Sequence, residues 1–172
     1  MRNSFDTTDA QLTFSSQAGE ISFLSDGDIM SVPQFKQLIE YLASKAPDGS
    51  LPCRKDVRPT DIKNLLPDFF MFDVVRKETL LTDLKVRLLG TKISRYYGNH
   101  TGESVHAFEN KAAVQRIFAC VTECIDKRDN VAVEVSGRSL QRDNVKINVL
   151  YCPLSDQDSV ITQIIGVLIA KT

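Results

Sequence analysis

The chain has 172 residues, of which 42% are hydrophobic and 25% are charged. Both fractions are those of ordinary globular proteins, so the composition excludes a wholly disordered chain and favours one packed domain with a helical extension. The 21 basic and 22 acidic residues leave a net charge of −1. No segment concentrates Lys and Arg, so neither nucleic acid nor an anionic membrane is expected as a partner.

The chain ends and the cysteines indicate a compartment. The N-terminal sequence MRNSFDTTDAQLTF is polar and lacks the apolar region of a secretory signal peptide. The longest apolar run near either end is VLIA at 167–170, which is too short to span a bilayer. A cytoplasmic protein is therefore expected. There, cysteines without a CxxC pair are expected to be free buried thiols; they are Cys53, Cys120, Cys124 and Cys152.

A polar leader and an amphipathic helix are predicted at the start of the chain. Residues 1–30 are rich in Ser, Thr, Asp, Gln and Gly, so we expect a loosely ordered leader that docks in places, such as ISFL at 21–24. Within residues 31–46, apolar residues recur with the spacing of a helix. This stripe must cover another surface, because a lone helix of this length is marginal in water. It comprises Phe35, Leu38, Ile39 and Leu42.

A shorter helix, two strands and a connector follow. The helix is predicted between Pro59 and Pro67. The run FFMFDVV begins a strand at Phe69, the polar stretch RKETLLTD is a connection, and LKVRLLG is a second strand that pairs with the first as a hairpin. TKISRYYG then predicts a short helix, with Thr91 as its N-terminal cap and Gly98 as a left-handed C-cap.

The second half of the chain predicts one long helix and three strands. ENKAAVQRIFACVTECIDKRDN is amphipathic over about five turns, with Asn110 as N-cap. Its apolar face comprises Val114, Ile117, Phe118, Val121 and Ile125. The strands VAVEVSGRSL, VKINVLYCPL and VITQIIGVLIA are separated by turns, QRDN at 141–144 and SDQDS at 155–159. Connections this short require an antiparallel meander, and the element order predicts an α+β fold.

The last strand is apolar on both faces, unlike a strand of a sheet that is covered on one side. Val160, Ile164 and Leu168 lie opposite another apolar set, Ile161, Ile165 and Val167. We therefore expect both faces of the sheet to be covered. The helix at 31–46 is the expected cover, supplied by the same chain or by a partner. A homodimer through the apolar stripe of that helix and the sheet is the resulting prediction.

Three ordered motifs resemble those of PAS domains, and in particular a bacterial subfamily of short stand-alone PAS-like proteins. They are LPCRKDVRPTDIKNLLP at 51–67, VRLLGTKISRYYGNHTGESV at 86–105, and the terminal pair INVLYCPL and IIGVLIA. The resemblance extends from Leu38 to Ala170. It implies a five-stranded antiparallel sheet, a short-helix connector and one long helix that together enclose a pocket. It also implies a sensor or ligand-binding module rather than an enzyme.

The chain is accordingly divided into a leader at 1–30, an N-terminal helical extension at 31–67 and a PAS-like domain at 68–172. The strand residue Arg87 is a candidate anchor for an acidic ligand, because a guanidinium binds carboxylates well. Its alternative is a structural ion pair with Asp68, Asp73 or Glu134. Thr91, at the start of the connector helix, is the next pocket candidate.

Four further side chains are pocket candidates. Tyr96 and Tyr97 point about 100° apart on a helix, so one should face the core and the other the loop or solvent. Each is either a pocket phenol or an ordinary packed tyrosine. His106 is the better of the two histidines as a haem ligand, against the alternative of a surface histidine. Phe118 is expected beside the pocket.

Enzyme motifs are absent from the sequence: it has no P-loop, GxGxxG, HExxH or GxSxG, and no metal site is expected. Three functions stay open. The first is a sensory module that binds a small organic ligand and signals through its N-terminal helix, its dimer interface or a separate effector protein. The second is a ligand-free interaction scaffold whose bulky strand residues fill the interior. The third is a small enzyme, which requires a convergent group with a shifted pKa.

Overall fold

The computed structural model describes residues 21–136 and 145–171. The strands are β1 (Ile21–Phe23), β2 (Phe69–Lys77), β3 (Leu80–Leu89), β4 (Val131–Ser136), β5 (Lys146–Ser155) and β6 (Ile161–Lys171). The α-helices are α1 (Asp26–Ser31), α2 (Pro33–Lys45), α3 (Thr91–Tyr97) and α4 (Lys111–Lys127), and 3₁₀ segments occupy Arg54–Asp56, Pro59–Asp68 and Val105–Ala107. The turn predicted at 141–144 and residues 1–20 of the predicted leader lie outside the described residues.

The strands form one antiparallel sheet in the order β1-β4-β5-β6-β2-β3. The predicted β2–β3 hairpin and the β4–β5–β6 meander are confirmed. The expected five strands become six, because Ile21–Phe23 pairs with β4 and extends the sheet. The predicted eight-residue connection between β2 and β3 is wrong. Only Glu78 and Thr79 turn, with Glu78 at a φ of 59°, and the other residues of that stretch continue the two strands.

Helix α2 and the 3₁₀ segment Pro59–Asp68 cover one face of the sheet, called here the α2 face. Phe35 and Leu38 are completely buried, and Leu42 is nearly so. They pack with apolar side chains of the sheet that include Phe69, Met71, Leu150, Ile165 and Val167. The predicted cover therefore comes from the same chain. The predicted dimer interface is wrong for these three helix side chains, because they are already buried, while Ile39 is half-buried.

Helices α3 and α4 cover the opposite face, called here the α4 face. Asn110 caps α4 as predicted, because its Oδ1 accepts a hydrogen bond from the Ala113 amide at 3.1 Å. Val114, Ile117 and Val121 are buried as predicted, but Phe118 and Ile125 are only half-buried. The buried arc of α4 is rotated from the predicted face, and it includes Arg116, Cys120 and Cys124.

The start of α3 differs from the prediction. Gly90 is the N-cap, and Thr91 is the exposed first helical residue without a capping hydrogen bond. Gly90 is required because an added Cβ would lie 2.2 Å from the Leu66 carbonyl oxygen and 2.3 Å from that of Pro67. Gly98 ends α3 as predicted, with a φ of 86°, but its ψ of 166° is extended and not left-handed helical.

Among the described residues, no helix is both long enough and apolar enough to cross a membrane.

Candidate ligand site

A small cavity lies between the sheet and the two helices of the α4 face. Its volume is about 20 Å³, which is room for about one water molecule. Most of its wall is apolar and includes Phe70, Phe72, Ile93, Phe108, Val149 and Leu168. Three polar side chains complete the lining: Tyr97 from α3, Arg116 from α4 and Tyr151 from β5. This cavity is therefore a candidate interior site.

Arg116 is the unusual group in this cavity. Its side chain is buried, with the residue 1% exposed, and Nη2 donates a hydrogen bond to the Tyr97 hydroxyl at 3.1 Å. Within residues 21–136 and 145–171, neither Nε nor Nη1 has a hydrogen-bond partner, and no carboxylate forms a salt bridge with the guanidinium. Because arginine stays protonated in proteins, this is a buried cation without a counter-ion from the described chain. Such a group is costly to bury.

The electrostatics around Arg116 do not create a reactive nucleophile. Burial disfavours the charge on Arg116, but the nearby oxygens of Tyr97 and Tyr151 favour it, and the pKa of Arg116 is raised overall. Burial raises the pKa of Tyr151 well above its ordinary value, although Arg116 acts in the opposite direction. Burial also raises the pKa of Cys120 to about 12. Both groups are therefore neutral at pH 7, and Cys120 lacks the thiolate that nucleophilic chemistry needs.

Aromatic rings organise both sides of the cavity. On the sheet side, the Phe70 ring stacks on Phe72 at a centroid distance of 4.9 Å and meets the edge of Tyr151 at 5.4 Å. On the helix side, the Tyr97 ring stacks on Phe108 at 5.6 Å. The cavity therefore has an aromatic floor on the sheet and an aromatic roof that is formed by α3 and the segment before α4.

The two tyrosines of the connector point as predicted. Tyr97 is buried at the cavity, whereas Tyr96 is half-buried and lines an open groove of about 540 Å³ on the outside of the protein. That groove also contains Lys92, which pairs with Asp68 at 3.6 Å. Tyr97 is thus the one pocket candidate from the sequence that lies at the interior cavity.

The remaining candidates do not line the interior cavity. Arg87 is directed outward, and its Nε and Nη2 donate to one carboxylate oxygen of Asp73 at 3.0 and 2.7 Å, which is the alternative role considered for it. Thr91 and His106 are exposed. The His106 ring stacks on the half-buried Phe118 ring at 4.6 Å, away from the cavity lining. These four placements correct the predicted pocket, and His106 is not positioned as a haem ligand inside it.

The cysteines are free, as predicted, and three of them are buried while Cys53 is half-buried. In the part of the chain that the structure describes, no group of three or more His, Cys, Asp or Glu side chains is placed to hold a metal ion.

Two polar members of the site were not predicted as site residues, although the sequence contains signals for both. Arg116 lies one turn from both Ala113 and Cys120, so a charged residue interrupts the apolar side of an amphipathic helix. Tyr151 continues the alternation of Val145, Ile147 and Val149 on one strand face. What the sequence could not show is that the two residues meet across the interior.

An antiparallel sheet covered by a short-helix connector and a long helix, with a cavity between them, places the chain in the class of α+β domains. A family model described as PAS domain matches residues 30–169. The chain belongs to the PAS domain family.

A comparison with solved structures finds a likeness to an RNA-binding Light-Oxygen-Voltage receptor. The match has 12% sequence identity and a TM-score of 0.44, and it covers 94% of this chain and 52% of that chain. The chain thus spans about half the length of that receptor, and RNA binding is stated for the receptor. No curated protein sequence matches the chain.

Proposed function

We propose that this chain is a sensory PAS module that binds a small organic ligand between the sheet and helices α3 and α4. The observation that carries the proposal is the buried Arg116 guanidinium, which faces a cavity with two nitrogens that lack partners among the described residues. A protein gains no stability from such a group, because an apolar side chain of similar volume would avoid the cost of burying a charge. A ligand that pairs with the group supplies a reason for its presence.

The contacts of α3 support output through the N-terminal helical segment. The backbone of Gly90 packs directly on the carbonyl groups of Leu66 and Pro67, and its amide donates to the Phe69 carbonyl oxygen at 2.7 Å. The Lys92–Asp68 ion pair joins the same two elements. A displacement of the cavity roof therefore acts on the segment that leads back to α2. Ligand binding shifts this equilibrium only by its difference in affinity for the two states.

Thermal unfolding of the full chain tests ligand binding. The melting temperature is measured with a panel of organic acids, amines and neutral compounds, because a ligand at 100 times its Kd stabilises the folded state by about 2.7 kcal/mol. We expect at least one class to raise the melting temperature, and to change hydrogen exchange in Pro59–Asp68. No shift with any compound contradicts the proposal.

A ligand-free interaction scaffold is the second candidate, and the small size of the cavity favours it. A volume of about 20 Å³ leaves the interior close to the density of a packed core. In that case no compound raises the melting temperature, and substitution of Arg116 leaves binding to a partner protein unchanged.

Output through a homodimer or a separate effector protein is part of the same proposal. Because the apolar stripe of α2 is buried in its own chain, a homodimer would have to use another surface. Light scattering at micromolar concentration tests self-association, and a single species near 19.2 kDa contradicts it.

A further inference from the structure

We propose that the ligand of the interior cavity is a small organic monocarboxylate, whose carboxylate pairs with Arg116 and whose apolar body packs against the aromatic wall. This inference rests on the proposed function of the same cavity. It adds the chemical class of the ligand, which the proposed function leaves open.

The charge of the cavity selects an anion with one negative charge. Among the described residues, Arg116 is the sole charged side chain that lines the cavity. No carboxylate of the described residues pairs with it. A guanidinium has five N–H donors, of which one is used on the Tyr97 hydroxyl. The remaining donors suit the two oxygens of a carboxylate. A phosphate or dicarboxylate would bring a second negative charge into a cavity with a mostly apolar wall, where no second cation among the described residues balances it.

The apolar wall of the cavity indicates what the part of the ligand beyond its carboxylate must be. Phe70, Ile93, Phe108 and Leu168 present apolar surface, so the part of the ligand beyond its carboxylate must be apolar. Tyr97 and Tyr151 line the cavity together with Arg116, and their hydroxyl groups can donate to the carboxylate, because a phenol hydroxyl is a donor as well as an acceptor. An aliphatic or aromatic weak acid satisfies both parts of the wall.

The volume of the cavity makes binding depend on a movement. About 20 Å³ holds a water molecule but not an organic acid. The floor belongs to strands that are hydrogen-bonded to neighbours on both sides, whereas the roof is formed by the seven-residue helix α3, between Gly90 and Gly98, and by the segment before α4. The roof is therefore the side that must open. Pairing of the buried cation provides free energy that offsets the opening.

The first experiment compares acids with their uncharged counterparts. Benzoate, phenylacetate, isovalerate and hexanoate, and the matching primary amides, are added to the full chain at constant ionic strength, and binding is followed by thermal shift and calorimetry. We expect one or more acids to bind, and the matching amide to bind about 10- to 100-fold more weakly, because a hydrogen bond between charged groups is lost. Sodium chloride serves as the inorganic anion.

The second experiment changes the cation. Arg116→Met removes the charge and keeps a flexible apolar side chain of similar volume, although a shorter one, and Arg95→Met makes the same change at an exposed position of α3. We expect Arg116→Met to weaken binding of the acid about 10- to 100-fold and Arg95→Met to leave it unchanged. Arg116→Gln is the second variant, and circular dichroism checks that each variant is folded.

The outcomes separate this inference from the proposed function. If an amide binds as well as its acid, or if only amines or neutral compounds bind, the proposal of a monocarboxylate ligand is wrong, while the proposal that the protein binds a ligand is kept. The same holds if folded Arg116→Met or Arg116→Gln retains the affinity of the unchanged protein. If chloride reproduces the effect of the acids, the site takes an inorganic ion only and the inference is overturned. If none of the acids, amides or amines binds, both proposals fail.

Discussion

The two faces of the sheet differ in the side chains that they bury. On the α2 face, Phe35 and Leu38 pack on Met71 and Val167 in an apolar cluster that gains free energy from burial alone. On the α4 face, a comparable apolar cluster contains Arg116, whose charge is buried at a cost. Apolar burial on both faces stabilises the fold. The second face departs from what stability favours, and such departures are expected at functional sites.

Strand β6 contributes buried side chains to both faces of the sheet, and the glycine between them has no free space around it. Ile164 and Leu168 face the α4 side, while Ile165 and Val167 face the α2 side. Between them, Gly166 has no room for a side chain, because an added Cβ would lie 1.8 Å from the Leu150 carbonyl oxygen and 2.5 Å from the Phe70 ring. The Phe70 ring of the aromatic floor therefore packs directly against the backbone of the central strand β6.

The largest effect is expected from breaking the packing of the α2 face. Leu38→Ala removes a completely buried side chain and should lower the free energy of unfolding by about 2–5 kcal/mol, measured by denaturant unfolding. Ile39→Ala, at a half-buried position of the same helix, is the matched control and should lower it less. Equal effects at the two positions would show that α2 does not pack on the sheet as described.

The opposite sign is expected for the charged group of the α4 face. Arg116→Met should leave the free energy of unfolding unchanged or raise it by about 1–4 kcal/mol, because a buried charge is replaced by an apolar side chain of similar volume. The measurement is denaturant unfolding without added ligand. A loss of several kcal/mol would mean that Arg116 has a structural partner, and the contrast between the two faces would disappear.

A smaller effect is expected at the start of α4, which holds Arg116 over the cavity. Asn110→Ala removes the side-chain cap of the Ala113 amide and should lower the free energy of unfolding by about 1 kcal/mol. Asn110→Ser retains a capping oxygen and should restore most of that loss. If both variants lose the same amount, the cap is not the source of the stability.

The smallest effect is expected for the exposed arginine of β3. Arg87→Met breaks the ion pair with Asp73, and a pair this accessible should contribute no more than about 1 kcal/mol to the free energy of unfolding. Binding of an organic acid should not change, because Arg87 lies outside the cavity. If this variant binds benzoate or its analogues more weakly, Arg87 contributes to ligand binding, and the role given to Arg116 is contradicted.

Local patterns in the sequence predicted the elements that depend on neighbouring residues. Apolar periodicity predicted α2, α4 and the β4–β5–β6 meander, and the side chain of Asn110 predicted the start of α4. The paired faces of β6 predicted that the sheet is covered on both sides. These predictions succeed because the period of apolar residues identifies the type of an element and the approximate side that is buried. On α4 the buried arc is rotated from the predicted face and includes Arg116.

The tertiary structure alone decided which surfaces meet and which polar groups are left without partners. It placed the stripe of α2 on its own sheet, paired Arg87 with Asp73, and made Gly90 the junction between α3 and the segment before β2. It also brought Arg116 of α4 to Tyr97 of α3 and Tyr151 of β5. The physical reason is that the cost of a buried charge depends on every group packed around it, and those groups come from distant parts of the chain.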